Sequence, residues 1–402
     1  MKAMSANALE SWSLNQVSLT HDTQTLDITT LIQTIVIEED IERGLITGSV
    51  AFIDTMNLLE TLGMKGDDYL YISFNSLNSE LTEKEPYQKL FRVSGYVELS
   101  EQNLGTKRAV QLEFASPAEV LNEVRSISKS YVNSSSNQIV NEMLTILEVP
   151  EEQRKIEETL FMKDMIIPNI SPLEVISFMA KTSISKETGD SNFYFFENRE
   201  GIQFVSGQKL IKETPFEIVV EGTNPTDLSM YKKSSNYQKA KGYDMMYQYR
   251  SGAAGLNMMM RDGLRKGYKE EAISFATVKE QFPRLNEIDA VIIETTPETM
   301  KQEFISVEQM YQFNGKSSYG NMTANRIINR ESLGTKRSFL ETPGDSDMGA
   351  GMLIDLKIAN QNGQVSTRDS GKWLIAKCRH IININIGQYR QELDLISDSN
   401  IG

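Results

Sequence analysis

The last fifty residues alternate apolar and polar side chains with a period of two, and that pattern leaves little choice of backbone. Met352, Ile354, Leu356 and Ile358 fall on one side of an extended segment, with Asp355 and Lys357 on the other. Ile382, Ile384 and Ile386 alternate with Asn383 and Asn385, and Tyr389, Leu393 and Leu395 with Arg390, Glu392 and Asp394. A helix scatters such residues around its circumference, whereas a strand collects every second side chain on one face. Antiparallel strands, buried on one side and solvated on the other, are therefore predicted. Leu31 to Phe114 reads the same way. Its inward sets are Val50 and Phe52 after Gly44 and Gly48; Leu70, Ile72 and Phe74 after the Gly66-Asp67-Asp68 turn; Phe91, Val93 and Val97; and Val110, Leu112 and Phe114. Between Ile53 and Gly63 the spacing of Met56, Leu59 and Leu62 predicts a short helix instead.

The texture then changes. Ser116-Pro117-Ala118-Glu119 has the form of a capping box with proline at the first helical position, followed by Val120, Leu121, Val124 and Ile127 as an apolar stripe. A second helix is predicted after Ser134-Ser135-Ser136, with Ile139, Val140, Met143, Leu144 and Leu147 inward. The capping signature returns at Ser171-Pro172-Leu173-Glu174, opening a helix through Ile176 and Met179. Phe193 to Phe196 and Ile202 to Val205 flank a turn ending in Gly201 and predict a hairpin. Phe216 to Val220 reads as a strand beginning a second β module. From 242 to 340 the pattern loosens, with Val291 to Glu294 as a strand and Met258-Met259-Met260 read as core filler rather than a soft binding surface. Pro343-Gly344-Asp345 is a turn. The expected class is thus β-rich α+β, divided as 1–115, 116–210, 211–241 with 341–402, and an inserted 242–340. The pentapeptide shared by 104–108 and 333–337 is too short to establish a repeat.

With 402 residues and 40% hydrophobic content, two to four cores are expected. The formal charge of −14, from 41 basic and 55 acidic residues, opposes nucleic-acid binding, which needs clustered cations. Lys232-Lys233 and Lys239 to Lys241 are read as solvated faces. Cys378 is the single cysteine, so neither a disulfide framework nor a thiolate zinc site is available, which suits a reducing compartment. Met1 to Ser13 lacks the layout of a signal peptide, and no apolar run reaches the ~20 residues of a membrane helix, so no membrane insertion is expected.

No catalytic constellation emerges. His21 and His380 are the two histidines, in different modules, and any Ser-His-Asp or Cys-His arrangement needs one of them. His380, beside Arg379 in a strand, is read as paired or exposed. Asn314-Gly315-Lys316-Ser317 resembles the end of a phosphate loop, but Met310 stands where the first glycine belongs. Tyr319 likewise breaks the nucleophile-elbow spacing that starts at Gly315. Asp345 and Asp347 begin like a calcium loop, but Gly349 occupies the third ligand position. Glu38-Glu39-Asp40 and Glu151-Glu152 are read as solvated. No catalytic, cofactor-binding or metal residue is assigned, and no cofactor is expected.

Several stretches nevertheless have a familiar form. Pro343-Gly344-Asp345 with Gly351 to Leu356, then Ser370 to Ala376 with Arg379-His380, and the closing Glu392 to Leu395 with Asp398-Ser399, resemble the end of the central baseplate hub proteins of contractile-tailed bacteriophages. Ile167-Pro168-Asn169, Ser171 to Glu174, Phe178 to Lys181 and the Phe193 to Phe196 strand resemble the middle of that family. The resemblance touches most of the chain and is weakest from about 242 to 340, where no motif aligns. It implies two similar antiparallel β-barrels per subunit with smaller accessory domains, assembled as a homotrimer. Three chains with two barrels each make a pseudo-sixfold ring that joins a hexameric tail tube to a trimeric spike and starts tube assembly. The implied partners are tube and spike proteins, with tape-measure and baseplate-wedge proteins beside them. The implied location is the virion tail baseplate, assembled in the host cytoplasm, with DNA passing a lumen whose acidity would repel phosphate. The hub part of type VI secretion spike proteins is related. No lysozyme-like or β-helical extension follows Gly402, so a fused spike is not expected. Two competing readings are a tail-associated peptidoglycan hydrolase using paired carboxylates and a carbohydrate-binding receptor protein; Trp12 and Trp373 alone supply little for the latter.

Overall fold

The computed structural model describes residues 12–55, 58, 68–76, 85–99, 108–220, 232–234, 236–239, 244–262, 266–289, 292, 307–312, 318–359 and 364–401. The first β module contains β1 (Trp12–His21), β2 (Gln24–Asp27), β3 (Ile32–Asp40), β4 (Thr47–Asp54), β5 (Tyr69–Ser76), β6 (Tyr87–Leu99) and β7 (Arg108–Ala115). They lie in the antiparallel order β3-β4-β7-β6-β5-β1-β2. The predicted inward sets are buried, apart from Val97. The β6–β7 register shifts between Val93 and Gly95, and an extra residue in a period-two strand sends the following side chains to the other face. Val97 therefore points outward. The helix predicted over Met56, Leu59 and Leu62 lies outside the described residues, as do residues 66 and 67 of the predicted turn.

Next come α1 (Pro117–Val124), β8 (Ile127–Ser135), α2 (Ser136–Ile146), β9 (Arg154–Ile156), β10 (Met162–Ile170), α3 (Pro172–Thr182), β11 (Phe193–Asn198), β12 (Gly201–Ser206) and the short α4 (Gly207–Leu210). The capping box predicted for α3 forms. Ser171 N donates to Glu174 Oε2 at 2.9 Å and Glu174 N to Ser171 Oγ at 3.4 Å. The one predicted for α1 does not. The Ser116 side chain caps nothing, and burial raises the Glu119 carboxyl above its usual range, with Glu123 adding to the effect. Helix α1 also ends at Val124, which is 77% exposed, so the predicted apolar stripe stops one turn early. A capping box not among those predicted opens α2, where Ser135 N donates to Gln138 Oε1 at 2.9 Å. The five predicted inward residues of this helix are buried. Strand β8, rich in Ser, Lys and Asn, escapes a periodicity reading and owes its form to pairing with β10. The β11–β12 hairpin forms as predicted, with Asn198 opposite Gly201.

The remaining elements are β13 (Phe216–Val220), β14 (Lys232–Ser234), β15 (Asn236–Lys239), α5 (Met245–Ser251), β16 (Gly255–Asp262), β17 (Gly267–Ser274), α6 (Phe275–Lys279), β18 (Ile288–Asp289), β19 (Val307–Gln312), α7 (Ser318–Leu333), β20 (Lys336–Pro343), β21 (Leu353–Lys357), β22 (Gly371–Asn383), β23 (Gln388–Ser397) and β24 (Ser399–Asn400). The loosely patterned 242–340 stretch has its own small core, with Leu256, Met258, Ile273, Phe275, Phe282 and Ile328, beneath the sheet β17-β16-β19 and α7. Met258 and Met260 alternate inward along β16, which is the filler role expected of them. Of the strand expected at Val291 to Glu294, Ile292 alone lies within the described residues, and it is buried.

The β-rich α+β class is as expected, with large antiparallel sheets. One departure is that β13 pairs in parallel with both β14 and β21. Strand β21 follows β13 only after a long crossover, the connection a parallel neighbour requires. Strands of both β modules belong to a single fourteen-stranded sheet, joined where β22 meets β3. In the C-terminal strands Ile354, Leu356, Ile382, Tyr389, Leu393 and Leu395 are buried as predicted. Ile386 is exposed because the chain turns there between β22 and β23.

Lys163 on β10 is buried at 9% exposure, and its ammonium donates to Thr182 O at 2.7 Å and Thr182 Oγ1 at 2.6 Å, closing the C-terminus of α3. Burial lowers its pKa from 10.5 to about 7. Between those values the unfolded chain binds more protons than the folded one, so stability rises with pH across the window, by up to about 1.4 kcal/mol per unit. Lys163→Met should flatten that rise when urea unfolding is measured at both ends of the window. An unchanged slope would show that Lys163 is not its source.

Candidate functional site

Strand β22 forks. Along one edge it pairs with β23 for nearly its whole length, while the other edge pairs first with β21, from Gly371 to Leu374, and then with β3, from Lys377 to Asn383. At the gap, Gly351 N donates to Ile375 O at 2.9 Å and Ile41 N to Ala376 O at 3.0 Å, so the carbonyls between the two partners are satisfied. The β22–β23 register shifts at this same place, between Ile375 and Lys377.

The loop 344–351 fills the fork, and small residues allow it. A Cβ on Gly344 would stand 2.1 Å from the Tyr389 ring, one on Gly349 2.4 Å from Glu39 Oε2, and one on Gly351 2.3 Å from Phe196. Gly351 also has φ +82°, a conformation side chains disfavour. Each contact leads to a different part of the molecule: β23, β3 and β11.

Polar groups hold the loop from every side. Asp345 N donates to Gln391 Oε1 at 2.9 Å, and Gln391 Nε2 donates back to Asp345 O and Met348 O at 3.0 and 2.9 Å. Ser346 N donates to Ser76 Oγ at 3.0 Å and Ser76 N to Ser346 Oγ at 3.2 Å, binding the loop to β5. Arg199 Nη1 donates to Ser346 O at 2.7 Å and pairs with Asp347. Asn198 Nδ2 donates to Ala350 O at 3.0 Å, and Ala350 N donates to Glu39 Oε2 at 2.9 Å. Alongside, Glu197 accepts from Lys89 Nζ at 2.6 Å and from Ile46 N at 3.3 Å. The first β module, the β11–β12 hairpin and the C-terminal strands thus share one polar junction. On its outer surface Glu38, Arg379, Glu392, Arg390 and Glu341 alternate in charge across β3, β22, β23 and β20.

The chemistry-bearing residues fall into this frame as structural parts. Cys378, His380 and Glu39 meet in the fork. His380 Nε2 lies 3.4 Å from the thiol sulfur and 3.7 Å from Glu39 Oε1, and Nδ1 lies 2.8 Å from Tyr389 Oη. All three are fully buried, so no substrate reaches the thiol. His380 is paired, as expected; Glu39, read as solvated, is not, because the fork closes over it. His21, at the end of β1, has its Nδ1 2.6 Å from Asp68 Oδ1, whereas His380 packs against Phe74, Tyr87 and Tyr389. Asp345 Oδ1 accepts from Asp347 N at 3.0 Å, a local turn rather than a calcium cradle. Among the described residues no group of three or more His, Cys, Asp or Glu is arranged to hold a metal. The motif Asn314 to Ser317 lies outside the described residues. What a periodicity reading misses are Glu39, Ser76, Asn198, Arg199 and Ser346, whose partners are distant in sequence. The closely spaced Gly344, Gly349 and Gly351 were the available signal.

No family model matches the chain. It is similar to a probable baseplate hub protein, gp334, of Vibrio phage KVP40, with 21% identity over 99% of this chain and 97% of that protein. The resemblance to baseplate hub proteins is borne out. Two solved structures share the fold at 7% identity. A tail protein from Neisseria meningitidis MC58 matches with a TM-score of 0.60 over 95% of this chain and 96% of its own. The 43 kDa tail protein of prophage MuSo2 from Shewanella oneidensis matches with a TM-score of 0.56 over 96% and 98%. These names are those of tail and baseplate parts, in agreement with the expectation of a structural protein rather than an enzyme.

The junction yields a paired test. Gly387 has φ +63° with nothing within 4 Å of a Cβ, so Gly387→Ala isolates the backbone term and should cost about 1 kcal/mol. Gly351→Ala adds the collision with Phe196 and should cost about 2–4 kcal/mol in urea unfolding. Equal losses would mean that Phe196 yields freely and the loop is not tightly seated.

Proposed function

We propose that this chain is the central hub of a phage tail baseplate: a homotrimer whose two β modules act as two similar barrels, at 1–115 and at 211–241 with 341–402. Residues 116–210 and 242–340 serve as the accessory domains. Three pairs of barrels form a pseudo-sixfold ring, which seats a hexameric tube on one side and a trimeric spike on the other and starts tube assembly. Tape-measure and wedge proteins are its further neighbours. Assembly takes place in the host cytoplasm, and the genome passes through the ring without sequence-specific contact.

The observation that carries this reading is the similarity to the Vibrio phage hub protein along almost the whole of both chains. The architecture supports it in a second way. A ring that imitates sixfold symmetry with three chains needs two β modules held at a fixed spacing. Here the modules share the sheet at β22, and a buried polar loop locks the fork. A hinge in place of this junction would let the two modules drift out of register with a hexameric partner.

Sedimentation equilibrium tests the oligomeric claim. The purified chain should give three times the mass of one chain and bind isolated tube protein. A monomer at every accessible concentration, or a dimer, would overturn the threefold ring.

A further inference from the structure

A hollow of 270 Å³ lies where the loop between β3 and β4, α3, β11 and α7 converge. Its apolar part is supplied by the half-buried Leu173, Ala180 and Phe195, backed by the buried Ile41, Leu45 and Phe193. Around it stand four cations, Arg43, Lys181, Arg326 and Arg330, against one lining carboxylate, Glu42. Glu42 is itself engaged by Arg330, whose guanidinium lies over the Tyr194 ring at 4.9 Å. In a chain of net charge −14 this concentration of positive charge runs against the overall sign.

The hollow is built on rigid supports. Arg326 and Arg330 are one turn apart on α7, hence on one face. That helix is fixed to the segment just before β11 by Ser191 Oγ donating to Met322 O at 2.8 Å and by Asn329 Nδ2 donating to Asp190 Oδ1 at 3.3 Å. Arg43 and Lys181 stand exposed at the rim.

We infer that this hollow docks a short acidic segment of a partner protein, one that seats an apolar side chain on the floor while its carboxylates meet the cations. The apolar floor is what selects a peptide, since an inorganic anion gains nothing from it. The inference does not rest on the hub reading and concerns a surface that reading leaves unassigned.

The full chain is titrated with a fluorescein-labelled octapeptide of alternating glutamate and leucine, and with its glutamine counterpart. The glutamate peptide should bind, and binding should weaken with added salt. Lys181→Glu and Arg43→Glu, which alter exposed side chains and should leave the circular dichroism unchanged, should each weaken it by about tenfold. Equal binding of the two peptides, undiminished binding to both variants, or no binding at all would overturn the proposal. So would full displacement by inorganic phosphate at concentrations similar to the peptide, which would mark a small-anion site.

Discussion

Strand β22 gives its first residues to one hydrophobic core and its last to another, and the two cores are held together by that continuity. Trp373, Leu374, Ile375 and Cys378 pack with the C-terminal module, while Ile382 packs with Val50, Phe74 and Phe114 of the N-terminal one. A strand that changes partners along one edge leaves backbone groups unpaired at the change, and such groups are costly when buried. The Gly351 and Ile41 amides supply the partners. From this single requirement follow the tight loop, its glycines and the carboxylate of Glu39 held without exposure beneath it.

Polar groups share the fork with the apolar contacts of Met348, Ala350 and Phe196, and their magnitudes explain what they add. A net intramolecular hydrogen bond contributes about 1 kcal/mol, so the network adds modestly to stability, whereas stranding any one member costs about 1–3 kcal/mol. The penalty falls on wrong arrangements. Apolar residues alone would tolerate sliding of the loop; the reciprocal Ser76 and Ser346 contacts and the Arg199 contacts with Ser346 and Asp347 do not. Buried polar groups that fix geometry more than they stabilise suit a part whose task is to hold two modules at a set relation, as the proposed ring demands.

Strands with one buried face were legible in the sequence because period-two alternation is a local signal: Ile354 and Leu356, or Leu393 and Leu395, announce their face within a few residues. The α3 cap was legible for the same reason. Strand β8 was not, since Ser128, Ser130 and Ser134 carry no apolar period and its form comes from a partner strand. Val97 was misplaced because a bulge changes the parity without leaving a mark in composition. The candidate site was the least legible part. Glu39 sits in an acidic triplet that reads as solvent-facing, and only a loop more than three hundred residues later covers it. Long-range polar pairing has no periodicity to detect, and the cluster of glycines at 344–351 hints at close approach without naming what approaches.

Native-state hydrogen exchange at the Ala350 and Gly351 amides tests most directly whether the fork welds the two modules. If it does, both amides exchange only when the molecule opens as a whole, at the same free energy as the Val50 and Leu393 amides of the two cores. Exchange of Ala350 and Gly351 at markedly lower free energy, with both cores still protected, would contradict it.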